Sequence, residues 1–362
     1  MAILIAGWVS SVLELRRESG GSRGGDFGEE AAHPEVEVSP SLEAAARPEA
    51  PKVTSRITEN LLRIDETNLS FLTSAITRYQ TPLTGYSGAL RAAFYLPGEE
   101  MTRFVRDPGL RIRFVDMSNK EAPAREGRVP DQPGVYRVQF VKGRSIANID
   151  DFVAIVQIPF SAKTEGKLNG YMLGTWPFEN GGKPRTPAYA NPAGFVEVTP
   201  ANRNVPISEH FRLGDFLTKG QDSTWPKYMV LSSKLIDKLE LVIDGLEQRG
   251  VTVDRMRIMS GFRHPSYNAG GGNTAGRASL SRHMYGDASD VFIDNNADNW
   301  SDDITGDGRL TIRDAERIRD IVDEIERQYP SLVGGVGIYP ACCGHGPMTH
   351  VDVRGNRARW YY

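Results

Sequence analysis

An α+β fold is predicted by three features of this chain. Between residues 110 and 158, runs such as Leu110-Arg111-Ile112-Arg113-Phe114 and Tyr136-Arg137-Val138-Gln139-Phe140 alternate apolar and polar residues, the period of a half-buried strand. Leu235, Ile236, Leu239, Val242, Ile243 and Leu246 recur at helical spacing, as do Ala315, Ile318, Ile321, Val322 and Ile325. Strand patterns return between and after these helices, at 255–259, 289–293 and 349–354. The expected architecture is a small β-sandwich-like domain over 57–204, followed by an α+β domain over 205–362.

Composition bounds the reading. A chain of 362 residues suits about two domains with extra segments. Its 40% hydrophobic and 25% charged content is that of an ordinary globular protein. A formal net charge of -3 leaves no basic footprint for nucleic acid. No apolar run is long enough for a transmembrane helix. The two cysteines, Cys342 and Cys343, are adjacent and cannot staple distant elements. A vicinal pair, an extra metal ligand and two loop thiols all remain open for them.

Taken in order, residues 1–17 are mostly apolar, with Ile3-Leu4-Ile5 and Trp8-Val9. They read as the remnant of a signal or anchor, or as a tail, and any membrane contact would pass through them. Residues 18–56 are rich in Gly, Glu, Ala and Pro, and read as a disordered linker. In 57–204 turn residues punctuate the strands, at Asp107-Pro108-Gly109, Gln132-Pro133-Gly134 and Asn180-Gly181-Gly182. The run from 152 to 158 is almost continuously apolar, like a strand buried on both faces. Residues 61–79 are ambiguous between helix and strand. Trp176, Phe178 and Tyr189 suit either an aromatic binding surface or core.

In 205–362, Ser232 or Ser233 can cap the first helix and Gly250 ends it. The strand at 255–259 then delivers Ser260-Gly261-Phe262-Arg263. An insertion over 294–314 contains Asp303-Ile304-Thr305-Gly306-Asp307-Gly308-Arg309-Leu310-Thr311-Ile312-Arg313-Asp314. This spacing fits a calcium loop of EF-hand type, with ligands from Asp303, Thr305, Asp307, the Arg309 carbonyl, Thr311 and Asp314. An acidic surface turn is the alternative, because Asp stands where the standard loop has Glu.

His283, Asp290 and His350 form a plausible three-ligand zinc set. Three protein ligands leave a fourth position for water, the pattern of catalytic zinc. Gly286 permits a tight turn after His283, and the strand it leads into carries Asp290. His350, Asp352 and Arg354 share one face of the last alternating strand.

Ser281-x-His283-x-x-Gly286-x-Ala288-x-Asp290 with a distal His350 resembles the zinc D-Ala-D-Ala carboxypeptidase family. That family includes VanY-type enzymes and murein endopeptidases and shares its fold with the Hedgehog signalling domain. Ser260-Gly261-Phe262-Arg263 is similar to its Ser-Gly-Tyr-Arg segment, and His350-Val351-Asp352-Val353-Arg354-Gly355 with Arg359-Trp360 to the tail of its periplasmic branch. The resemblance covers 205–362 and implies an extracytoplasmic zinc peptidase acting on peptidoglycan peptides. By that resemblance, Arg263 and Ser281 position the peptide. The family's general base does not carry over, because Pro347 and Met348 occupy its positions. Asp352 is the first candidate for the base and His345 the second; Asp352 is equally suited to orienting a ligand histidine. Two rivals remain: a zinc- and calcium-stabilised module that binds wall peptides without cutting them, and a structural wall tether.

Overall fold

The alternating runs of the first half form one sheet. Its strands are β1 (Ala92–Tyr95), β2 (Leu110–Asp116), β3 (Glu121–Ala122), β4 (Gly134–Lys142) and β5 (Ser145–Val156), in the order β1-β5-β4-β2-β3. The β1–β5 pair is parallel and the others antiparallel. This is a computed structural model that describes residues 85–101, 110–272, 274, 277–342 and 344–362. The apolar segment 1–17, the linker 18–56, the ambiguous stretch 61–79 and the turn at 107–109 lie outside the described residues.

Strand β5 explains its own continuous apolar run. Val153 and Ile155 join the main core, while Phe152, Ala154 and Val156 join a second cluster with Tyr136, Val138 and Phe140. With both faces covered, a strand loses its polar alternation. The main cluster does not stop at position 205. It runs from Leu90 and Ile155 through Phe195, Phe216 and Leu239 to Val351.

Short strands bridge the middle of the chain. β6 (Ile158–Pro159), β9 (Gly194–Val198) and β10 (Lys227–Met229) make a three-stranded sheet in the order β10-β9-β6. β7 (Lys167–Leu168) and β8 (Tyr171–Met172) pair with each other. Because β9 pairs with β10, the segment before 204 is hydrogen-bonded to the segment after it. The two expected domains therefore share a sheet and a core. Trp176 is core, only 1% exposed, and not a surface platform.

The first predicted helix is α1 (Ser233–Glu247), with Ser232 as its N-cap residue. Its apolar stripe is buried as expected. The opposite face is buried too, through charged residues with specific partners. Asp237 accepts from Tyr86 N and Ser87 N, each at 2.7 Å. Lys238 Nζ donates to Glu326 and to the Asp352 carbonyl, each at 2.8 Å. Burying such groups is tolerable only when they are paired in this way.

The site-bearing sheet contains β11 (Met256–Ser260), β12 (Ala288–Ile293), β13 (Gly335–Tyr339), β14 (Met348–Asp352) and β15 (Ala358–Tyr361), in the order β11-β12-β14-β13-β15. Between these strands lie the short helix α2 (Pro265–Gly270) and the long helix α3 (Ile312–Gln328). Helix α3 buries the five apolar residues that the sequence predicts. The protein is thus α+β, with several sheets and three α-helices among the described residues.

Candidate metal centre

Register builds the centre. Ser260 pairs with Asp290, Asp290 with His350, His350 with Gly337, and Gly337 with Trp360. One row of residues thus crosses all five strands, and directly opposed residues share a face. Asp290 and His350 are neighbours on that face because β12 and β14 are adjacent partners in one sheet.

His283 reaches the row from a 3-10 turn, Arg282–Tyr285. Gly286 ends the turn in the left-handed region at φ 66°, and a Cβ there would fall on the Val230 carbonyl. The turn is braced by residues from before position 204. Trp176 Nε1 donates to the Met284 carbonyl at 2.9 Å. Arg282 donates to the Ala188 carbonyl at 2.7 Å, pairs with Asp287, and lies against the rings of Tyr189 and Tyr285.

Three atoms converge. His350 Nδ1 is 2.9 Å from Asp290 Oδ1, His283 Nε2 is 3.3 Å from the same oxygen, and the two nitrogens are 3.2 Å apart. All three residues are buried. The opposite ring nitrogens fix the tautomers. His283 Nδ1 is 2.7 Å from the Gly261 carbonyl, which only accepts. His350 Nε2 is 3.1 Å from Asp352 Oδ2. In the neutral rings both far nitrogens donate, so two lone pairs and a carboxylate oxygen face one another. Such a triangle suits a cation, either a metal ion or a proton shared between His350 Nδ1 and Asp290 Oδ1. Tetrahedral zinc with bonds of about 2.0–2.1 Å would separate its ligand atoms by about 3.3 Å, close to the observed edges. The donor set fits zinc.

The electrostatics agree. Burial raises the Asp290 carboxyl, but His283 and His350 outweigh it and hold the group well below the usual carboxylate range. Burial, with the Arg263 guanidinium beside it, pushes His283 down to about 4 and keeps it neutral. His350 resists burial through its hydrogen bonds to Asp290 and Asp352, which push its pKa up. The centre therefore attracts positive charge at His350 and Asp290.

The other predicted residues divide. Arg263 joins the site, with its guanidinium 3.7 Å from Asp290 Oδ2 and its Nε buried without a partner. Ser281 is buried at the start of the 3-10 turn. Asp352 is fully buried behind His350, on the side away from the triangle. It accepts from Gly335 N at 2.7 Å and from Arg354. Its geometry is that of a positioning partner and not of a base. The ring nitrogens of His345 face the Gly346 carbonyl at 2.7 Å and Cys342 Sγ at 3.7 Å. Cys343 lies outside the described residues.

Asp303, Asp307 and Asp314 do not form a group of three with ligand atoms all within 4.8 Å of one another. Among the described residues, His283, Asp290 and His350 are the one group of three or more His, Cys, Asp or Glu with ligand atoms within 4.8 Å. Asp314 Oδ1 accepts from Ile304 N and Thr305 N, and its Oδ2 accepts from Thr311 N. Thr311 is the N-cap of α3, and Asp314 completes a capping box with it. Asp303 accepts from Thr305 Oγ1, Gly306 N and Gly308 N, and Asp307 from Arg309 N. The spacing that suits a calcium loop also suits a turn leading into a capped helix, and these oxygens are engaged with backbone N–H groups.

Several contributors were hidden in the sequence. The Gly261 carbonyl leaves no side-chain signal. Lys219 sits in a loop, yet burial and neighbouring Arg257 push its amine down, with Arg263 and Arg277 adding to the effect. Arg263 and Lys219 are thus both within electrostatic reach of Asp290. Tyr339 and Trp360 line the site face, and only the strand register could have placed them there. No family model, curated protein or solved structure compared with this chain matches it, so the centre is read from its own geometry and chemistry.

Proposed function

We propose that this protein is a zinc peptidase that hydrolyses bonds next to D-residues in bacterial peptidoglycan peptides, outside the cytoplasm, and that its site-bearing sheet belongs to a Hedgehog/D-Ala-D-Ala-peptidase type of fold. The observation that carries this reading is the buried triangle of His283 Nε2, Asp290 Oδ1 and His350 Nδ1, with both tautomers fixed from behind. Zinc bound there supplies a Lewis acid and brings the pKa of a bound water to about 7. Arg263, with its buried and unpartnered Nε, is suited to a peptide carboxylate, and Lys219 adds charge beside it. The Trp176 bond and the Arg282–Asp287 pair brace the His283 turn, which suits a preorganised centre.

One observation favours a second reading. No further His, Cys, Asp or Glu joins the triangle among the described residues, so no base stands in the cluster itself. A zinc-stabilised module that binds wall peptides without cutting them is consistent with that. The test is mass spectrometry of purified muropeptides incubated with the zinc-loaded full chain, beside His350→Ala. Loss of a terminal D-Ala by the wild type alone means a carboxypeptidase, and opened cross-links mean an endopeptidase. Bound zinc with unchanged muropeptides favours the binding module.

A further inference from the structure

The site face extends beyond the three ligands and Arg263. Gly337 opposes His350 on β14 and Trp360 on β15, and any Cβ at Gly337 would collide with the Trp360 indole. The glycine therefore lets the indole lie across the sheet, with its ring 5.1 Å from that of His350. Tyr339 stands two residues along β13 from Gly337, so it shares that face. Trp360 Nε1 donates to the Tyr339 hydroxyl at 3.1 Å. That bond takes up an oxygen lone pair and leaves the O–H proton to point elsewhere. The Tyr339 ring is held flat against Tyr362, with centroids 4.7 Å apart.

Trp360 ties the hydroxyl to the centre, because its indole meets both the Tyr339 oxygen and the His350 ring. The phenol is within electrostatic reach of both Asp290 and Arg263, the ligand and the cation on either side of the 3.7 Å pair. Burial pushes its pKa up to about 12, so it stays protonated at neutral pH. A fixed, protonated hydroxyl at a metal site can donate a hydrogen bond but cannot serve as a base.

We infer that Tyr339 is a substrate-facing hydrogen-bond donor, aimed at the oxygen on which negative charge develops when the scissile carbonyl is attacked, and that Trp360 orients it. This rests on the peptidase reading above and adds a residue that the three-ligand motif does not include. Donors held in place in this way act mainly on the transition state.

The test compares the zinc-loaded wild type with Tyr339→Phe, which keeps the ring and its stacking. Zinc content, melting temperature, kcat and KM on a D-Ala-D-Ala peptide, and the Kd of a dipeptide phosphinate that mimics the tetrahedral oxyanion would be measured. The expected result is a fall of about a hundred-fold in kcat. KM should change little, zinc should be retained, and phosphinate affinity should weaken by a similar factor. Phosphinate affinity within two-fold of wild type would overturn the inference, as would loss of zinc or a large fall in melting temperature. A wild type that takes up neither zinc nor phosphinate would overturn the peptidase reading itself, and this inference with it.

Discussion

His350 Nε2 lies 3.1 Å from Asp352 Oδ2, while the Nδ1 of the same ring faces Asp290. The two residues are two apart on one strand, so they share a face, and the carboxylate stands behind the imidazole. Arg354 and Gly335 N hold Asp352 in turn, and its carboxyl stays well below the usual range: burial opposes this, but His350 and Arg354 outweigh burial. Replacing Asp352 with Asn should weaken zinc affinity about 10- to 100-fold, the usual effect of losing such a partner. Competition with a chromogenic chelator would measure it. A variant that kept full affinity and lost only turnover would make Asp352 a base after all.

Zinc should stabilise the native protein by mass action. At free zinc about a hundred times Kd the gain is about 2.7 kcal/mol. For a folded region of this size that raises the melting temperature by several degrees. His283→Ala removes a corner of the triangle and should abolish the rise. Thermal scans with zinc and with chelator would read both outcomes. An equal rise in the variant would place the stabilising zinc elsewhere.

The sequence revealed some layers of this structure and hid others, for physical reasons. The α1 and α3 stripes and the strands carrying Asp290 and His350 were legible because burial imposes a period. The His283, Asp290 and His350 group was legible because metal binding needs those residue types. The shared core was not. A strand such as β9 pairing with β10 across position 204 depends on contacts that no local pattern records. The dual role of Asp352 was undecidable from alternation alone, since a face does not reveal which atom of a ring it meets. The calcium loop and the helix cap were inseparable in the sequence because Thr311 and Asp314 obey both rules at once, and in the structure both residues cap α3.

The two roles are separable by experiment at Asp314. The carboxylate is 3% exposed and accepts three backbone N–H groups. Asp314→Ala should cost about 2 kcal/mol by removing the cap and leaving buried donors unsatisfied. The loss should be the same in millimolar calcium and in chelator. Urea titrations under both conditions would measure it. A loss that appeared only with calcium present would restore the calcium loop.

Two histidines outside the triangle should give pH dependences of opposite sign. His264 caps α2, and its Nδ1 accepts from Tyr267 N at 3.0 Å, which requires an unprotonated nitrogen. Burial, with a smaller push from Lys227, lowers its pKa to about 4. A folded value below the unfolded 6.5 gives stability that is complete above pH 6.5 and is lost as pH falls through 4. The size is on the order of 3 kcal/mol, and His264→Asn, which keeps a capping oxygen, should remove that slope. His210 differs. Burial lowers its pKa, but the bond of its Nδ1 to Glu240 at 2.7 Å and that carboxylate's charge raise it overall. Its contribution is complete below the unfolded value of 6.5 and fades as pH rises through the raised folded value. His210→Gln should therefore be less stable than wild type in acid and converge with it in alkali. Denaturant titrations of the chelator-treated proteins between pH 4 and 9 would measure both differences. Parallel curves for wild type and His264→Asn below pH 6.5 would mean that the cap does not titrate with folding.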